Sequence, residues 1–304
     1  MLQTTTIELS EININDKLKF DSYFKLIDLK VSELNFTNFF MWRDYYKNRY
    51  GIVNDFLCII SMTDVNQPFC FFPIGDYGRF AELKSTLYIL KEYFAEMGWQ
   101  FRMRRVSAEQ LAVLETLGIC YESVEDRDNF DYLYLAKSLS TLAGKKLDGK
   151  RNHINKFRKL YTFEYEEISD TNISDCKDIL ENWCIQRNYS TQSSLIAERI
   201  ANLELLDNYK SLGLKGAIIK VDGVPQAFTV GEQLNSDTAV IHIEKANADI
   251  HGLYPLINQQ FVANQWTGLE YVNREQDLGL EGLRKAKLSY NPVGFVEKYI
   301  VALC

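Results

Sequence analysis

Charged side chains near the end of the chain are of the types that acyl-transfer chemistry requires. Residues 273–294 read NREQDLGLEGLRKAKLSYNPVG and follow a short apolar segment at 269–272. Glu275 and Asp277 precede Gly279, and three basic residues follow it: Arg284, Lys285 and Lys287. A strand, an acidic loop and a basic helix in succession favour a ligand site at the end of a sheet. The alternative is a solvated turn before an ordinary charged helix.

Transfer of an activated acyl group would give these side chains distinct roles. The attacking amine or hydroxyl must lose a proton, and the oxyanion needs positioned donors. Glu244 ends a predicted central strand and Glu275 and Asp277 follow the next, so the three carboxylates could share one cleft and hold an amine. Lys287 could neutralise developing charge, Tyr290 could donate a hydrogen bond, and Arg284 and Lys285 could contact phosphate. The alternatives are that these side chains cap a helix, pack in the interior or are simply solvated.

A second basic stretch lies in the middle of the chain. Residues 144–159, GKKLDGKRNHINKFRK, carry seven Lys and Arg against one Asp in a chain of net charge -7. Ile154, Phe157 and Leu160 recur at three-residue steps and predict a helix from about residue 150. Its N-terminus and cations would favour a phosphate or carboxylate. The candidate donor-binding residues are Lys150, Arg151, Asn152 and Lys156. A solvated linker helix is the alternative.

Composition limits the class of protein. The 304 residues are 46% hydrophobic and 25% charged, which favours a globular chain of two domains. The N-terminus lacks signal-peptide features, and the longest apolar run, 56–62, is far too short to span a membrane, so a cytoplasmic location is expected. Six scattered cysteines predict neither a disulfide framework nor a zinc site, and no histidine has the spacing of a metal ligand. The net charge opposes nucleic-acid binding over the whole surface.

Hydrophobic periodicity predicts the same order of elements, ααβββαβαβ, in both halves. In the first half we expect helices near 18–29, 37–46, 80–97 and 108–117, and strands near 50–53, 56–61, 69–73, 100–103 and 132–135. In the second half we expect helices near 173–186, 195–208, 253–266 and 280–288, and strands near 214–221, 226–232, 238–244, 269–273 and 295–301. Asp222-Gly223 predicts a hairpin between two of these strands.

This order is that of the GNAT acyltransferase fold, and three segments resemble a known bacterial family. They are NFTNFFMWRDYY (35–46), LDGKRNHINKF (147–157) and NREQDLGLEGLRKAKLSYNP (273–292). They resemble proteins related to the C-terminal domain of phosphatidylglycerol lysyltransferase, a tandem GNAT arrangement also found in the FemABX peptidyltransferases. The resemblance implies an α/β fold with mixed sheets and two GNAT-like domains, 1–140 and 141–304, with the basic linker helix opening the second.

The same resemblance implies an acyltransferase, with aminoacyl-tRNA or acyl-CoA as the phosphate-bearing donor and a small molecule, peptide or lipid as acceptor. Phosphatidylglycerol lysyltransferases normally carry a multi-span membrane segment ahead of this domain, and its absence here weakens the case for a lipid acceptor. The GNAT acetyl-CoA loop resembles Q/R-x-x-G-x-G/A, whereas residues 244–254 read EKANADIHGLY and offer only Gly252 for phosphate. An acetyl-CoA-dependent N-acetyltransferase and a non-catalytic ligand-binding or partner-binding module therefore remain alternatives.

Overall fold

The computed structural model describes residues 7–63, 67–187 and 193–304, which form two compact units. The first unit comprises Met1–Phe130 and Val296–Cys304, and the second comprises Asp131–Phe295. Each unit is built on its own seven-stranded mixed sheet. No helix in the described ranges is long and apolar enough to cross a membrane.

Helices pack on the sheet of the first unit through regularly spaced apolar residues. The longest helix buries Leu83, Leu87, Leu90 and Phe94. Ser107 and Gln110 form a capping box that starts the next helix. The elements, numbered in chain order, are β1 (Ser10–Glu11), α1 (Lys17–Phe24), α2 (Phe36–Met41), α3 (Arg43–Tyr46), β2 (Arg49–Val53), β3 (Phe56–Ser61), β4 (Phe69–Cys70), α4 (Phe80–Glu96), β5 (Met103–Ser107), α5 (Ala108–Thr116), β6 (Tyr121–Glu125) and, from the chain end, β14 (Lys298–Leu303).

The second unit repeats this pattern with a longer central hairpin. Asp222 and Gly223 both have positive φ, 50° and 81°, as a two-residue hairpin turn requires. Its elements are β7 (Asp131–Leu135), α6 (Ala136–Thr141), α7 (Asp148–Leu160), β8 (Phe163–Glu167), α8 (Ile173–Gln186), α9 (Ser193–Asp207), α10 (Tyr209–Leu212), β9 (Lys215–Val221), β10 (Val224–Gln233), β11 (Thr238–Ala246), α11 (Leu253–Gln265), β12 (Tyr271–Asn273), α12 (Glu281–Leu288) and β13 (Gly294–Val296).

The two sheets have corresponding strand orders, and each contains one strand from the other half of the sequence. The orders are β1-β2-β3-β4-β5-β14-β6 and β8-β9-β10-β11-β12-β7-β13. Strand β7 pairs with β12 through Leu135 and Tyr271, while β14 pairs with both β5 and β6. The compact units therefore differ from the predicted domains 1–140 and 141–304, because these sheet hydrogen bonds join segments that lie far apart in the chain.

The predicted order of elements is present in both halves, with further elements added. The predicted order lacks β1, β6, α6, β8 and α10, and it lacks α7, which was predicted separately from about residue 150. It placed β5 at 100–103 instead of Met103–Ser107, and it joined β13 and β14 in one strand near 295–301. Strands β6 and β8 are edge strands, and their sequences YESVE and FEYEE lack a continuous apolar run. Short polar edge strands give little hydrophobic signal, which explains these omissions.

A disulfide joins Cys120 and Cys304 in the first unit, contrary to the expectation that no disulfide would form. The Cα atoms are 5.4 Å apart, and Cys304 N–H donates to the Cys120 carbonyl at 3.1 Å. The pairing depends on β14 lying beside β6, a relationship between segments 184 residues apart. The other four cysteines are buried thiols.

Helix α7 is packed into the core of the second unit, so it is not a solvated linker. Ile154 and Phe157 are buried in one cluster with Leu253 and Ile257 of α11. Leu160, the third member of the predicted apolar stripe, is 63% exposed instead, because the helix ends there. This packing holds the basic N-terminal turn of α7 against the rest of the second unit.

Candidate functional site

The candidate site lies where two parallel strands of the second unit part. Strand β12 pairs with β11 from Thr238↔Tyr271 to Val240↔Asn273, and it ends there. Residues 241–246 of β11 continue beside β10 alone, and the register of that pairing shifts at His242. The strands predicted near 238–244 and 269–273 are therefore paired, and they separate before Glu244 is reached. Polar side chains from both strands meet at this point.

Glu244 is held by two partners at the parting strands. Arg274, directly after β12, donates from Nη2 to Glu244 Oε1 at 2.8 Å. Asn258 of α11 donates to Oε2 at 2.8 Å. The Glu244 and Arg274 side chains are only 11% and 13% exposed, so this is a largely desolvated ion pair. Glu244 is consequently the counter-ion of Arg274, with both carboxylate oxygens engaged.

Two cations lie over the ring of Tyr290, which is itself buried. Lys150 Nζ is 4.0 Å from the ring centroid, and the Arg274 guanidinium carbon is 4.5 Å from it. Burial raises the pKa of the Tyr290 hydroxyl, so this group stays a neutral donor at ordinary pH. Burial and then the charge of Arg274 lower the pKa of Lys150, while Glu244 opposes the shift.

Lys287 of α12 is turned inward against the loop that follows β12. Its Nζ donates to the carbonyl oxygens of Arg274 and Glu275. Tyr134 of β7 donates at 2.7 Å to the carbonyl oxygen of Lys287 and so ties the end of α12 to the sheet. Burial and then the charge of Arg274 lower the pKa of Lys287 to about 8. An amine with such a pKa can exchange a proton near neutral pH.

Glu275 is part of a separate ion-pair chain with His242 and Glu232. His242 Nδ1 lies 3.2 Å from Glu275 Oε1, and Nε2 lies 2.9 Å from Glu232 Oε1. Although burial opposes protonation, these two carboxylates raise the pKa of His242 to about 9. Glu275 also has a left-handed backbone, with φ of 56°. Its carboxylate therefore holds His242, while its carbonyl oxygen accepts from Lys287.

Asp277 and Arg284 hold the loop before α12. Arg284 donates to both Asp277 oxygens at 2.9 Å, and Tyr132 donates to Oδ2 at 2.6 Å. Gly279 N–H donates to Oδ1 at 2.9 Å, and the Asp277 side chain is fully buried. Burial opposes ionisation, but these donors hold the pKa of Asp277 well below its usual range. The structure thus gives these two candidates a structural role in shaping the loop.

The remaining basic candidates lie outside this cluster. Arg151 donates to the carbonyls of Leu142 and Gly144 and to Asp148 at 2.9 Å, so it closes the turn before α7. Asn152 is exposed and lies 3.5 Å from the same Asp148 carboxylate. Two further candidates are exposed: Lys156 and Lys285. Of the four candidates in the basic stretch, Lys150 alone contacts the ring of Tyr290.

Gly252 is a packing position instead of an open phosphate loop. Its φ is 94°, and a Cβ there would lie 2.6 Å from the His153 carbonyl oxygen of α7. Helix α7 therefore covers the start of α11. Of the first amides of α11, that of Leu253 bonds to Ile250, and Pro255 has none. This helix terminus has few donors left for a pyrophosphate.

Sequence reasoning missed Arg274, Asn258, His242 and Tyr134. Arg274 follows the apolar strand directly and precedes the candidate Glu275, so its position after β12 was a usable signal. Asn258 and His242 lie inside a predicted helix and strand, and nothing in their spacing marks them. Within the described ranges, no group of His, Cys, Asp and Glu side chains could hold a metal ion.

The arrangement combines a proton-exchanging amine, a buried phenol and fixed positive charge in one place. Lys287 can accept or return a proton, Tyr290 can donate a hydrogen bond, and Arg274 and Lys150 can stabilise negative charge. These are the functions that acyl transfer to an amine or hydroxyl requires.

Comparison with known proteins identifies the family of this chain. Residues 24–302 match the family model for the phosphatidylglycerol lysyltransferase C-terminal domain. The uncharacterized protein MYCGA3080 of Mycoplasmoides gallisepticum is 26% identical over 184 residues, which are 56% of this chain and 55% of that protein. The chain thus spans about half the length of that curated relative.

Solved structures show the same fold. A conserved protein of unknown function from Bacteroides thetaiotaomicron is 36% identical, with a TM-score of 0.91 over 98% of this chain and 100% of that one. L-PGS from Bacillus licheniformis is 16% identical, with a TM-score of 0.63 over 94% and 91% of the two chains. A tandem GNAT protein from the clavulanic acid biosynthesis pathway is 9% identical, with a TM-score of 0.51 over 98% of each chain. The chain has the tandem GNAT acyltransferase fold, and it belongs to the family of the phosphatidylglycerol lysyltransferase C-terminal domain.

Proposed function

We propose that the second unit transfers an activated aminoacyl group from aminoacyl-tRNA to an amine or hydroxyl acceptor. The observation that carries the proposal is the position of Lys287 beside Arg274 at the parting strands, in a chain of this family. The neutral amine of Lys287 would take the proton of the acceptor as it attacks the ester carbonyl. Tyr290, Arg274 and Lys150 would stabilise the oxyanion, and protonated Lys287 would return the proton to the tRNA oxygen as the ester bond breaks. A cytoplasmic location, where charged tRNA is found, belongs to this proposal.

The start of α11 favours tRNA over acyl-CoA as donor. GNAT enzymes that use acetyl-CoA resemble one another in a glycine-rich loop whose amides bind pyrophosphate. Here the close contact of Gly252 with His153 and the presence of Pro255 remove that surface. The positive charge instead lies at Lys150, Arg274 and Lys287, where a nucleotide ester could bind.

An assay with both donors tests the proposal. Total tRNA charged with radiolabelled amino acids would be incubated with the protein and either a lipid extract or a soluble cell extract, with labelled acetyl-CoA in parallel. We expect protein-dependent transfer from tRNA to an extractable or soluble acceptor and none from acetyl-CoA. Transfer from acetyl-CoA alone would establish the N-acetyltransferase alternative. Transfer from neither donor would favour a non-catalytic module.

A further inference from the structure

His242 is aimed by an irregularity in strand β11. It is the extra residue of a β-bulge, because the register of β10 and β11 shifts between Ile241 and Ile243. A Cβ at Gly231 of β10, opposite Ile241, would clash with the carbonyl oxygen of Val240, so this close approach requires glycine. β-Bulges are common next to active sites, where they re-aim a side chain. This bulge directly follows the last pair of β11 with β12, so it directs His242 at the point where the strands part.

The fully buried ring of His242 ties two segments of the second unit together. Its Nε2 lies 2.9 Å from Glu232 Oε1 near the end of β10, and its Nδ1 lies 3.2 Å from Glu275 Oε1 after β12. Burial opposes protonation, but the two carboxylates raise the pKa of His242 to about 9, so both nitrogens donate at neutral pH. The ring therefore holds the segment after β12 to a strand two positions away in the sheet.

Glu275 has a backbone that needs such a tie. Its φ is 56°, a left-handed conformation that residues other than glycine rarely adopt. Its N–H donates to Asn273 Oδ1 at 2.7 Å, and its carbonyl oxygen accepts from the Tyr132 N–H at 3.2 Å. The same carbonyl oxygen accepts from Lys287 Nζ at 3.0 Å. Relaxation of Glu275 toward an ordinary φ would reorient this oxygen and remove an acceptor of Lys287.

The two carbonyl acceptors of Lys287 decide where its lone pair points. A neutral amine has two N–H bonds, and Lys287 Nζ donates to the carbonyl oxygens of Arg274 and Glu275. With both protons directed at the loop, the lone pair of the tetrahedral nitrogen is directed away from it. This is the orientation in which a base can take a proton from a bound acceptor.

We propose that His242 is a positioning residue for the transfer reaction: it holds Glu275 in its left-handed conformation, and the Glu275 carbonyl oxygen thereby orients the amine of Lys287. The inference rests on the proposed function, in which Lys287 is the base. His242 acts through Glu275 and takes no part in the proton transfer itself. Its effect falls on the rate of the chemical step, because a base displaced by about 1 Å can cost about a hundredfold in rate.

Two substitutions of His242 that keep different contacts test this role. The side-chain amide nitrogen of Asn can take the place of Nδ1, and that of Gln the place of Nε2, so His242→Asn keeps the contact with Glu275 and His242→Gln the contact with Glu232. Single-turnover transfer is measured over a range of charged tRNA concentrations. We expect His242→Gln to lower the maximal rate about tenfold or more, with the half-saturating tRNA concentration unchanged, and His242→Asn to retain most of the rate. Leu205→Ala, a core substitution in α9, should destabilise the protein and leave the rate unchanged.

A second pair of variants tests the backbone of Glu275 without any change at His242. Glu275→Ala and Glu275→Gly remove the same carboxylate, but only glycine adopts positive φ without strain. We expect Glu275→Gly to transfer about tenfold or more faster than Glu275→Ala, because the carbonyl oxygen then keeps its orientation without the tie.

Nuclear magnetic resonance of protein labelled with carbon-13 lysine gives a readout that does not depend on turnover. The Cε signal of Lys287 is assigned by its loss in Lys287→Met. We expect this signal to move further in His242→Gln than in His242→Asn, and since both variants remove the same charge, the difference reports the contact with Glu275. The signal of Lys298, which is buried against Glu33 in the first unit, should stay in place in both.

Equal transfer rates in the two His242 variants, or in the two Glu275 variants, would overturn the inference and leave the proposed function intact. A Lys287 signal that stays in place in His242→Gln would overturn it as well. If the wild-type protein transfers nothing from charged tRNA, the proposed function fails instead. The Lys287 signal then decides by itself whether His242 positions this amine.

Discussion

Arg274 donates to Glu244 at 2.8 Å across the gap between two parting strands, and this pair joins residues thirty positions apart in the chain. Burial lowers the pKa of Lys150 and Lys287, and the charge of Arg274 lowers both further. The Glu244 carboxylate therefore does more than close an ion pair. It holds in place a cation that adds to the effect of burial on the pKa of both lysines.

Glu244→Gln is expected to destabilise the protein by about 3 kcal/mol, because it leaves the largely buried charge of Arg274 without its counter-ion. Urea unfolding at pH 7 measures the change. The matched control is Glu164→Gln, an exposed carboxylate on β8, which should change stability by less than about 0.5 kcal/mol. Equal effects of the two substitutions would show that the Glu244 pair is not structurally important.

Gly252→Ala is expected to cost about 1–3 kcal/mol, since φ is 94° and the added Cβ would lie 2.6 Å from the His153 carbonyl oxygen. Gly149→Ala is the control: it lies in α7 with open space around its Cβ, and should be neutral or stabilising by up to about 1 kcal/mol. Thermal unfolding compares the two. A tolerated Gly252→Ala would mean that α7 does not pack closely on α11.

Because the pKa of His242 is raised in the folded protein, we expect the free energy of unfolding to decrease as the pH rises from 6.5 to 8. Its folded pKa is about 9, above the usual 6.5, so the folded state binds more protons than the unfolded state in this range. The stabilisation is complete below pH 6.5 and declines by at most about 1.4 kcal/mol per pH unit. Lys287, with a lowered pKa of about 8, adds an opposite slope only above that pH.

Urea unfolding at several pH values detects this slope. His242→Gln should flatten the curve between pH 6.5 and 8, because the group that titrates is gone. A wild-type curve as flat as that of the variant would mean that His242 is not charged between Glu232 and Glu275.

Thiol titration checks the placement of β14. In denaturant without reductant, four thiols should react, and six should react after reduction, because Cys120 and Cys304 are paired. Cys304→Ser should lower the stability of oxidised protein by about 2–5 kcal/mol and have little effect under reducing conditions. Six reactive thiols in freshly prepared protein without reductant would contradict the pairing.

Local pattern was sufficient to predict most of the fold. The repeated element order and the Asp222-Gly223 hairpin are both present. It was not predicted that β7 joins the sheet of the second unit and β14 the sheet of the first, because the sequence of an apolar strand does not indicate which sheet it joins. The Cys120–Cys304 disulfide was missed for the same reason, since it requires the exchanged strand.

The sequence indicated which segments form the candidate site, but it did not indicate what each residue of those segments does. The closing motif supplied Lys287 and Tyr290, and the basic stretch supplied Lys150, which the fold brings to the ring of Tyr290. Charge alone did not show that Asp277 and Arg284 bind each other or that Arg151 closes its own turn. Those partners are fixed by tertiary packing, which also places Arg274 between Glu244 and Tyr290.

The most direct measurement of the central claim is single-turnover transfer from charged tRNA by wild-type protein and by Lys287→Met, with Lys159→Met as control. We predict that Lys287→Met reduces the transfer rate about a hundredfold or more, as expected for loss of a positioned catalytic group, while its stability changes by no more than about 1.5 kcal/mol. Lys159→Met should transfer at the wild-type rate. Wild-type transfer by a folded Lys287→Met protein would contradict the account.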